Sequence, residues 1–409
     1  MKKQQRNSSI SSEDMVFEQV KLELRDAHAQ AIEGLERESY TKSRMQEILF
    51  SLLHGTEATR IQAAHQIRNL TKSSSKASSK CRVYFAAAGA ITPLVSMLES
   101  SSRDAKETAL LAILNLAVQN EKNKEMIVKA GAIQPLVELM QRDDMNLRES
   151  AAAVILTLSA SASNKSVIGA SGATPLLVQM LTSGSLQGKV DALMALYNIA
   201  TVHENRIPVL AAGACTPLIR LLKDCKKSSK VAEKVIALLE FLMGFEEGRC
   251  SVTKEDGGLL AIVEVLEEGS FQGREHAVGA LLTMCQSDRG KYRNFILEEG
   301  VIPGLLELTV QGSIRAQENA RKLLDLLRDS PPQHRSGPPA AASNMLRSIA
   351  YDIAAHVDSA ESGTVNARKM LTEMVQLSME QSMRHLQQRA HVYSPSLSSA
   401  ASTAKVFTK

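Results

Sequence analysis

The chain of 409 residues contains no tryptophan and few other aromatic residues, which together make up only 3% of the sequence. Large rings therefore cannot fill its core, which must be built from Leu, Ile, Val, Met and Ala. These residues suit close helix–helix packing, and Leu, Met and Ala are strong helix formers. The shortage of rings also removes the stacking surfaces that single-stranded nucleic-acid binding uses. The composition favours a helical protein and argues against nucleic acid as a partner.

The chain also lacks a strong charge of either sign. It has 48 basic and 44 acidic residues, so neither nucleic acid nor a membrane surface is favoured. Its five cysteines include no C-x-x-C pair and no His at zinc-ligand spacing, which excludes the common zinc motifs. An odd, scattered set is typical of reduced thiols. We expect a cytoplasmic and/or nuclear protein that holds no metal.

Signals for membranes, secretion and catalysis are missing as well. No window reaches roughly 18 consecutive apolar residues, and no apolar region follows the basic start of the chain, so we expect neither a membrane span nor a signal peptide. The sequence has no G-x-x-x-x-G-K-[ST], G-x-G-x-x-G, H-E-x-x-H or G-x-S-x-G motif. We therefore predict no enzyme activity, no catalytic residues and no cofactor.

What the sequence does contain is a repeat. A motif of the form Gly-Ala-Ile-x-Pro-Leu returns every 41 to 44 residues, with its glycine at Gly89, Gly131, Gly172, Gly213, Gly257 and Gly300. About 26 residues after the glycine a second signature follows, of which Leu111–Leu116 (LAILNL) is the clearest copy. A period near 42 with helical content lies in the range of helical solenoid repeats.

One unit illustrates the prediction. A short helix should end near Ala130, where Gly131 adopts the left-handed conformation that turns the chain. Pro135 falls in the first turn of the next helix, where its missing N–H costs little. Asp144 is placed to cap a third helix that runs to about Ser159. Three such helices cannot bury their apolar faces alone, so neighbouring units must stack.

These motifs resemble those of the armadillo family. The resemblance covers residues 45–330 and is closest to plant armadillo proteins related to the U-box ubiquitin ligases, as seen in GSFQGREHAVGALL at 269–282 and ARKLLDLLR at 320–328. It implies an all-α, right-handed superhelical solenoid of about seven repeats with flanking helices. Residues 1–44 show no pattern of paired strands, so we expect the chain to lack the U-box.

Outside the array the sequence predicts four segments. Residues 1–44 form a tail and a helix, whose apolar stripe suits either a cap on the first repeat or a short coiled coil. A Pro-rich linker covers 331–343, helices cover 344–390, and a disordered tail covers 391–409. The Met-rich second helix, 364–390, suits either a cap on the last repeat or a partner surface. Within the array, the Ser/Lys-rich residues 73–80 predict a mobile loop.

The resemblance also implies where partners bind, on the concave face of successive third helices. The Asn of the second signature would clamp a peptide backbone, since an amide both donates and accepts, although such an Asn can also bond a neighbouring backbone group. Four residues earlier lies a row on the same helix face. Import adaptors carry Trp in that row, and this chain has none. The predicted groove residues are Asn69, Asn115, Thr157, Asn198, Leu111, Ala153, Met194 and Ile236.

A row of basic residues lies half a helical turn from the Asn positions, at the start of the third helices. It is either a solvated rim paired with neighbouring glutamates or a basic stripe for an acidic or phosphorylated partner. Its members are Arg60, Lys106, Arg148, Lys189 and Arg274.

Two functions follow as hypotheses. The first is a non-catalytic scaffold or adaptor that binds extended or helical segments of other proteins in the groove. The alternative is a substrate-recognition component of a U-box-type ubiquitin ligase system, in plant signalling, with ubiquitin-pathway proteins as partners.

Overall fold

A computed structural model describes residues 40–328, and these residues are helical, with no β-strand among them. The predicted tail, linker and C-terminal segments lie outside the described residues, apart from 40–44, which belong to the first helix. The predicted boundary at residue 45 falls inside that helix, α1, of which residues 40–54 are described. The predicted all-α class is confirmed.

The described residues divide into two compact units, 40–208 and 209–328. After α1, the first unit contains α2 (Glu57–Thr71), α3 (Lys76–Ala87), α4 (Ile91–Met97), α5 (Arg103–Ala117), α6 (Glu121–Lys129), α7 (Ile133–Met140), α8 (Met145–Ser159), α9 (Lys165–Ala170), α10 (Ala173–Ser183) and α11 (Leu186–Ala200). The division falls within α12 (Arg206–Ala211). The second unit continues with α13 (Cys215–Asp224), α14 (Lys230–Met243), α15 (Glu246–Lys254), α16 (Gly258–Glu268), α17 (Phe271–Ser287), α18 (Arg289–Glu298), α19 (Ile302–Gln311) and α20 (Ile314–Leu327).

These helices follow the predicted order of three per repeat. The pair α1–α2 comes first, and six three-helix repeats follow, ending in α5, α8, α11, α14, α17 and α20. In the first unit α2, α5, α8 and α11 pack each against the next, and in the second unit α14, α17 and α20 do the same. Leu116, Leu158 and Leu196 on these third helices are fully buried, so stacking supplies the core that one repeat lacks. The predicted solenoid of about seven armadillo-type repeats is confirmed.

The repeated glycines adopt the left-handed backbone that the motif predicts. All six have φ between +63° and +91°. An L-residue with a side chain is strained in this region, because its Cβ approaches the following carbonyl oxygen. Each glycine lies between a first and a second helix, so it lets the chain reverse within two or three residues.

The starts of the third helices are tied to the preceding repeat. Ser185, Ser270 and Ser313 each cap their helix by accepting a hydrogen bond from the amide three residues later. Their hydroxyls then donate to carboxylates of the previous third helix, at 2.8 Å from Glu149, 2.9 Å from Glu233 and 2.5 Å from Glu275. One serine thus satisfies a helix end and joins two repeats.

The predicted mobile loop at 73–80 is wrong. Helix α3 begins at Lys76, because the Ser75 side chain accepts from the Ser78 amide and caps it. Arg82 holds the preceding turn, since its Nε donates to the Thr71 carbonyl at 3.1 Å. The serines that suggested mobility supply the cap instead.

A buried asparagine lies at or within the first turn of the first helix in three successive repeats. Asn123, Asn164 and Asn205 are 3%, 3% and 6% exposed. Each Nδ2 donates to a carbonyl near the end of the preceding third helix, at 2.8 Å, 3.1 Å and 3.1 Å respectively. Each also donates to a carbonyl in the first helix of the preceding repeat, at 3.1 Å, 3.3 Å and 3.1 Å. We call this row the asparagine ladder. Sequence reasoning missed it, although an Asn followed by Lys or Arg recurs every 41 residues.

The left-handed glycines give a first prediction. We expect Gly131→Ala to lower the free energy of unfolding by about 1–2 kcal/mol, because a Cβ there has open space and pays only the cost of the backbone conformation. Urea denaturation followed by circular dichroism measures the change. The matched control is Gly290→Ala in α18, where φ is not positive and an added Cβ meets only Asp288 Oδ1 at 3.5 Å. Equal stability of both variants would contradict the assignment.

The ladder gives a second prediction. We expect Asn164→Ala to destabilise the protein by about 1–3 kcal/mol, since two carbonyls would lose their buried donor. Differential scanning calorimetry measures the loss. Asn146→Ala, at an exposed position one repeat earlier, is the control and should have little effect. If the Asn164 variant melts like the Asn146 variant, the ladder contributes nothing to stability.

Candidate partner-binding surface

The third helices of the first unit, α2, α5, α8 and α11, present the predicted amide row. Asn69 is exposed, and Asn115, Thr157 and Asn198 are half-buried. Asn115 Nδ2 donates to the Arg68 carbonyl at 3.2 Å, and Asn198 Nδ2 donates to Ser159 Oγ at 3.2 Å. Both bonds reach the third helix of the preceding repeat. They hold the amides at the surface, and each NH2 group keeps a second N–H that takes no part in this bond.

Thr157 differs from the asparagines in this row. Its hydroxyl donates to the Ala153 carbonyl of the same helix at 2.9 Å. A threonine bonded in this way offers a partner an acceptor and a methyl group, and its only donor is already used. The row therefore contains amides on either side of one hydroxyl, and that hydroxyl already donates to a carbonyl of its own helix.

The predicted apolar row lies beside the amides in the first unit. Leu111, Ala153 and Met194 are half-buried there. Ile236, predicted to continue the row, is fully buried in α14, so its assignment to the groove is wrong. The physical reason is that α14 is covered on all sides at this level: Val235 to Leu239 are five consecutive buried residues.

Carboxylates flank the same surface. Glu149 accepts hydrogen bonds from the backbone N–H and the hydroxyl of Ser185. Asp191 accepts from Gln187 Nε2 at 2.8 Å. Burial raises the pKa of Asp191, the Gln187 hydrogen bond opposes that shift, and the nearby charge of Glu149 adds to it. The surface thus has an apolar centre with an acidic flank.

In the second unit the equivalent surface is filled by a polar network. Glu240 takes the place of the Asn, and its Oε2 lies 2.6 Å from His276 Nδ1. Arg315 bonds Glu240 and Glu275, at 3.4 Å each. Gly279 makes room for this arrangement, since a Cβ there would lie 2.2 Å from Glu240 Oε1. The sequence analysis did not foresee this network.

The structure does not support a solvated basic rim. Arg60 donates to the Leu53 carbonyl at 3.4 Å, and Arg274 Nε donates to the Leu266 carbonyl at 2.8 Å, so both satisfy the end of the preceding second helix. Arg274 also pairs with Glu307 at 2.9 Å. Lys106 is only 7% exposed, so its prediction as a solvated rim residue is wrong.

Arg148 and Lys189 are half-buried, and together with Lys106 they make no side-chain hydrogen bond or ion pair among residues 40–328. Basic residues of the first helices play a similar capping part. Arg206 Nε donates to the Ala200 carbonyl at 3.0 Å, and Arg249 donates to the Met243 carbonyl at 2.9 Å. Basic side chains in this array thus serve helix ends repeatedly.

Within residues 40–328, no group of three or more His, Cys, Asp or Glu residues could hold a metal ion. No single helix there is long and apolar enough to cross a membrane, although the pair Met145–Ser159 and Ala162–Ala170, bent by 116°, would pass by length and composition.

Comparison with known proteins identifies the array. Residues 136–336 match the family described as the plant U-box protein ARM repeat region. U-box domain-containing protein 45 of Arabidopsis thaliana is 33% identical over 97 residues, which are 24% of this chain and 12% of the relative. Over residues 136–336 the chain is similar to the armadillo repeat region of plant U-box proteins. U-box domain-containing protein 25 of the same plant is 34% identical over 106 residues, a quarter of each chain.

The similarity to these plant proteins therefore covers only part of each sequence. The matched segment spans about an eighth to a quarter of the length of these curated relatives. Among solved structures, an engineered protein from the Northeast Structural Genomics Consortium aligns with a TM-score of 0.56 and 19% identity, covering 81% of this chain and 88% of that one. A designed armadillo repeat protein aligns with a TM-score of 0.43 and 21% identity, covering 69% and 99%. The engineered protein supports the fold alone.

The capping role of the armadillo array's basic residues gives a third prediction. We expect Arg274→Ala to lower the free energy of unfolding by about 1.5–3 kcal/mol, because the Leu266 carbonyl loses a charged donor. Arg142→Ala, at an exposed position before α8, serves as control and should change little. Urea midpoints of the two variants, measured at the same salt concentration, give the difference. A solvated rim would make both changes equally small.

Proposed function

We propose that this chain is a protein-interaction scaffold, and that it binds an extended or helical segment of a partner on the third-helix surface of the first unit. The observation that carries the proposal is the cross-repeat support of Asn115 and Asn198. An amide held in place by one N–H loses little freedom when its other groups bind a partner. Within residues 40–328, neither side-chain carbonyl accepts a hydrogen bond in the structure.

The neighbouring row supports the same surface. Leu111 and Met194 are partly exposed beside the amides, so a partner that places an apolar side chain there would bury them further. Met adapts its shape readily, which suits contact with a segment of irregular outline. Amides would then hold the partner backbone, and the apolar row would select its side chains.

The second unit is less suited to this mode of binding. Glu240 stands at the Asn position and is already engaged by His276 and Arg315. A partner backbone would have to compete with those contacts and desolvate a carboxylate. We therefore assign the peptide-binding surface to the first unit.

A second candidate function is substrate recognition within a U-box-type ubiquitin ligase system. The relatives that match the array are named U-box domain-containing proteins, and the match falls on the array. In this proposal the chain recruits a protein and another component transfers ubiquitin. We propose a cytoplasmic and/or nuclear location for either function, which the five unpaired cysteines support.

The test of the surface is a comparative capture experiment. Wild type, the double variant Asn115→Ala with Asn198→Ala, and the control Asn146→Ala would each capture proteins from the same plant extract for mass spectrometry. We expect a set of proteins bound by wild type and control and lost, at least about tenfold, from the double variant, since two clamping amides contribute roughly 1 kcal/mol each. Thermal melts must show the double variant folded. Equal capture by all three would end the assignment to this surface.

The ligase proposal has a separate test. The purified chain, with ubiquitin, an activating enzyme and a conjugating enzyme, should transfer no ubiquitin by itself. Addition of a U-box protein should then produce ubiquitination of a captured partner, and the Asn115/Asn198 variant should reduce it. Transfer by the isolated chain would contradict the non-catalytic assignment, and no effect of the U-box protein would remove the second candidate.

A further inference from the structure

Three large apolar side chains are exposed together at one edge of the second unit. Phe271, the first residue of α17, is 61% exposed. Val310, near the end of α19, is 70% exposed, and Ile314, the first residue of α20, is 79% exposed. All three border the short loops between second and third helices. We call them the loop-edge patch.

Two recorded contacts bring these residues into one surface. Arg274, three residues after Phe271, pairs with Glu307 of α19 at 2.9 Å. Ser313, next to Ile314, donates to Glu275 of α17 at 2.5 Å. Residues three or four apart are neighbours on a helix. The first contact therefore brings Phe271 and Val310 onto one surface, and the second brings Phe271 and Ile314 onto it.

An acidic group borders the patch. Glu267 and Glu268 end α16, and Glu267 packs on α19, where a Cβ at Gly304 would lie 3.1 Å from its Cγ. Burial raises the pKa of Glu267, and the charges of Glu268, Glu264 and Glu307 raise it further. An occupant of the patch should therefore be apolar on one side and basic beside it.

The sequence beyond residue 328 contains a segment with that chemistry. Residues 364–390, predicted to be helical, carry an apolar stripe with spacings of four, four, four and three: Leu371, Val375, Met379, Met383 and Leu386. Four basic residues outnumber two acidic ones: Arg368, Lys369, Arg384 and Arg389 against Glu373 and Glu380. The other predicted flanking helix, within 14–39, has seven acidic residues and three basic ones, so it matches the acidic border poorly.

The residues between α20 and this segment are long enough for the segment to reach the loop-edge patch. With the predicted helix at 344–357 intact, residues 329–363 would still span roughly 90 Å, more than the length of a two-repeat edge built from helices about 10 Å apart. A tethered segment meets its site at a high effective concentration, so a modest apolar contact suffices to hold it.

We propose that residues 364–390 dock in cis on the loop-edge patch of the second unit as an amphipathic helix. Their apolar stripe covers Phe271, Val310 and Ile314, and their basic residues face Glu267 and Glu268. The third-helix surface of the first unit plays no part in this contact, so the inference stands or falls separately from the proposed function.

Photo-cross-linking in the full chain tests the proposal. A benzophenone amino acid replaces Ile314 in one variant and Leu186 in another. Leu186 is the matched control, since it also begins a third helix and is 78% exposed, in the first unit. We expect position 314 to cross-link to peptides within 364–390 in the monomeric band at all protein concentrations, and position 186 to give none. Cross-links from 314 to another copy or to nothing in 364–390, or equal yields from 186, would overturn the proposal.

Hydrogen exchange gives an independent readout. In the variant Val310→Glu with Ile314→Glu, amides in 364–390 should exchange about tenfold faster or more, because the docked helix loses the burial of two apolar side chains. Leu186→Glu should leave those rates unchanged. Both glutamates replace exposed residues, and a wild-type melting temperature verifies folding. Unchanged exchange in a folded double variant would show that the segment does not dock there.

Discussion

The ends of the third helices govern much of this structure. When repeats stack, the last carbonyls of each third helix are buried, and a buried carbonyl without a donor is costly. In the first unit Asn123, Asn164 and Asn205 meet this need, and each uses its second N–H to bond the first helix of the same preceding repeat. One side chain therefore satisfies a helix end and fixes the step between two repeats.

The second unit meets the same need with other residues. Arg249 donates to the Met243 carbonyl at 2.9 Å. Gly248 precedes Arg249. A Cβ at residue 248 would lie 2.2 Å from the Leu242 carbonyl oxygen, so the backbone there is too close to the end of α14 for an asparagine at this position. Arg249 repeats the bond that Arg206 makes to the Ala200 carbonyl in the first unit, so the two units share the guanidinium contact and differ at the asparagine.

Features of this structure that depend on residues close in sequence could be predicted, and features that depend on the packing of neighbouring repeats could not. The glycine motif predicted the repeat length and the left-handed turns, and Asp144 caps α8 as its position indicated. The groove assignment stays a prediction at Asn115 and Leu111, which the spacing of four residues places on one side of α5. It is wrong at Ile236, and the predicted basic rim is wrong at Lys106, because both side chains are buried. Residue spacing along one helix predicts the face on which a side chain lies and not which neighbouring helices cover that face.

The sequence by itself determined the helices, their caps and their period, because each rests on residues within about one turn of one another. Only the tertiary structure decided which polar side chains face a partner and which serve a helix end. Asn123 and His276 find their bonding partners 41 and 36 residues away. Burial and hydrogen bonding at such separations depend on how neighbouring repeats stack, which no local pattern records.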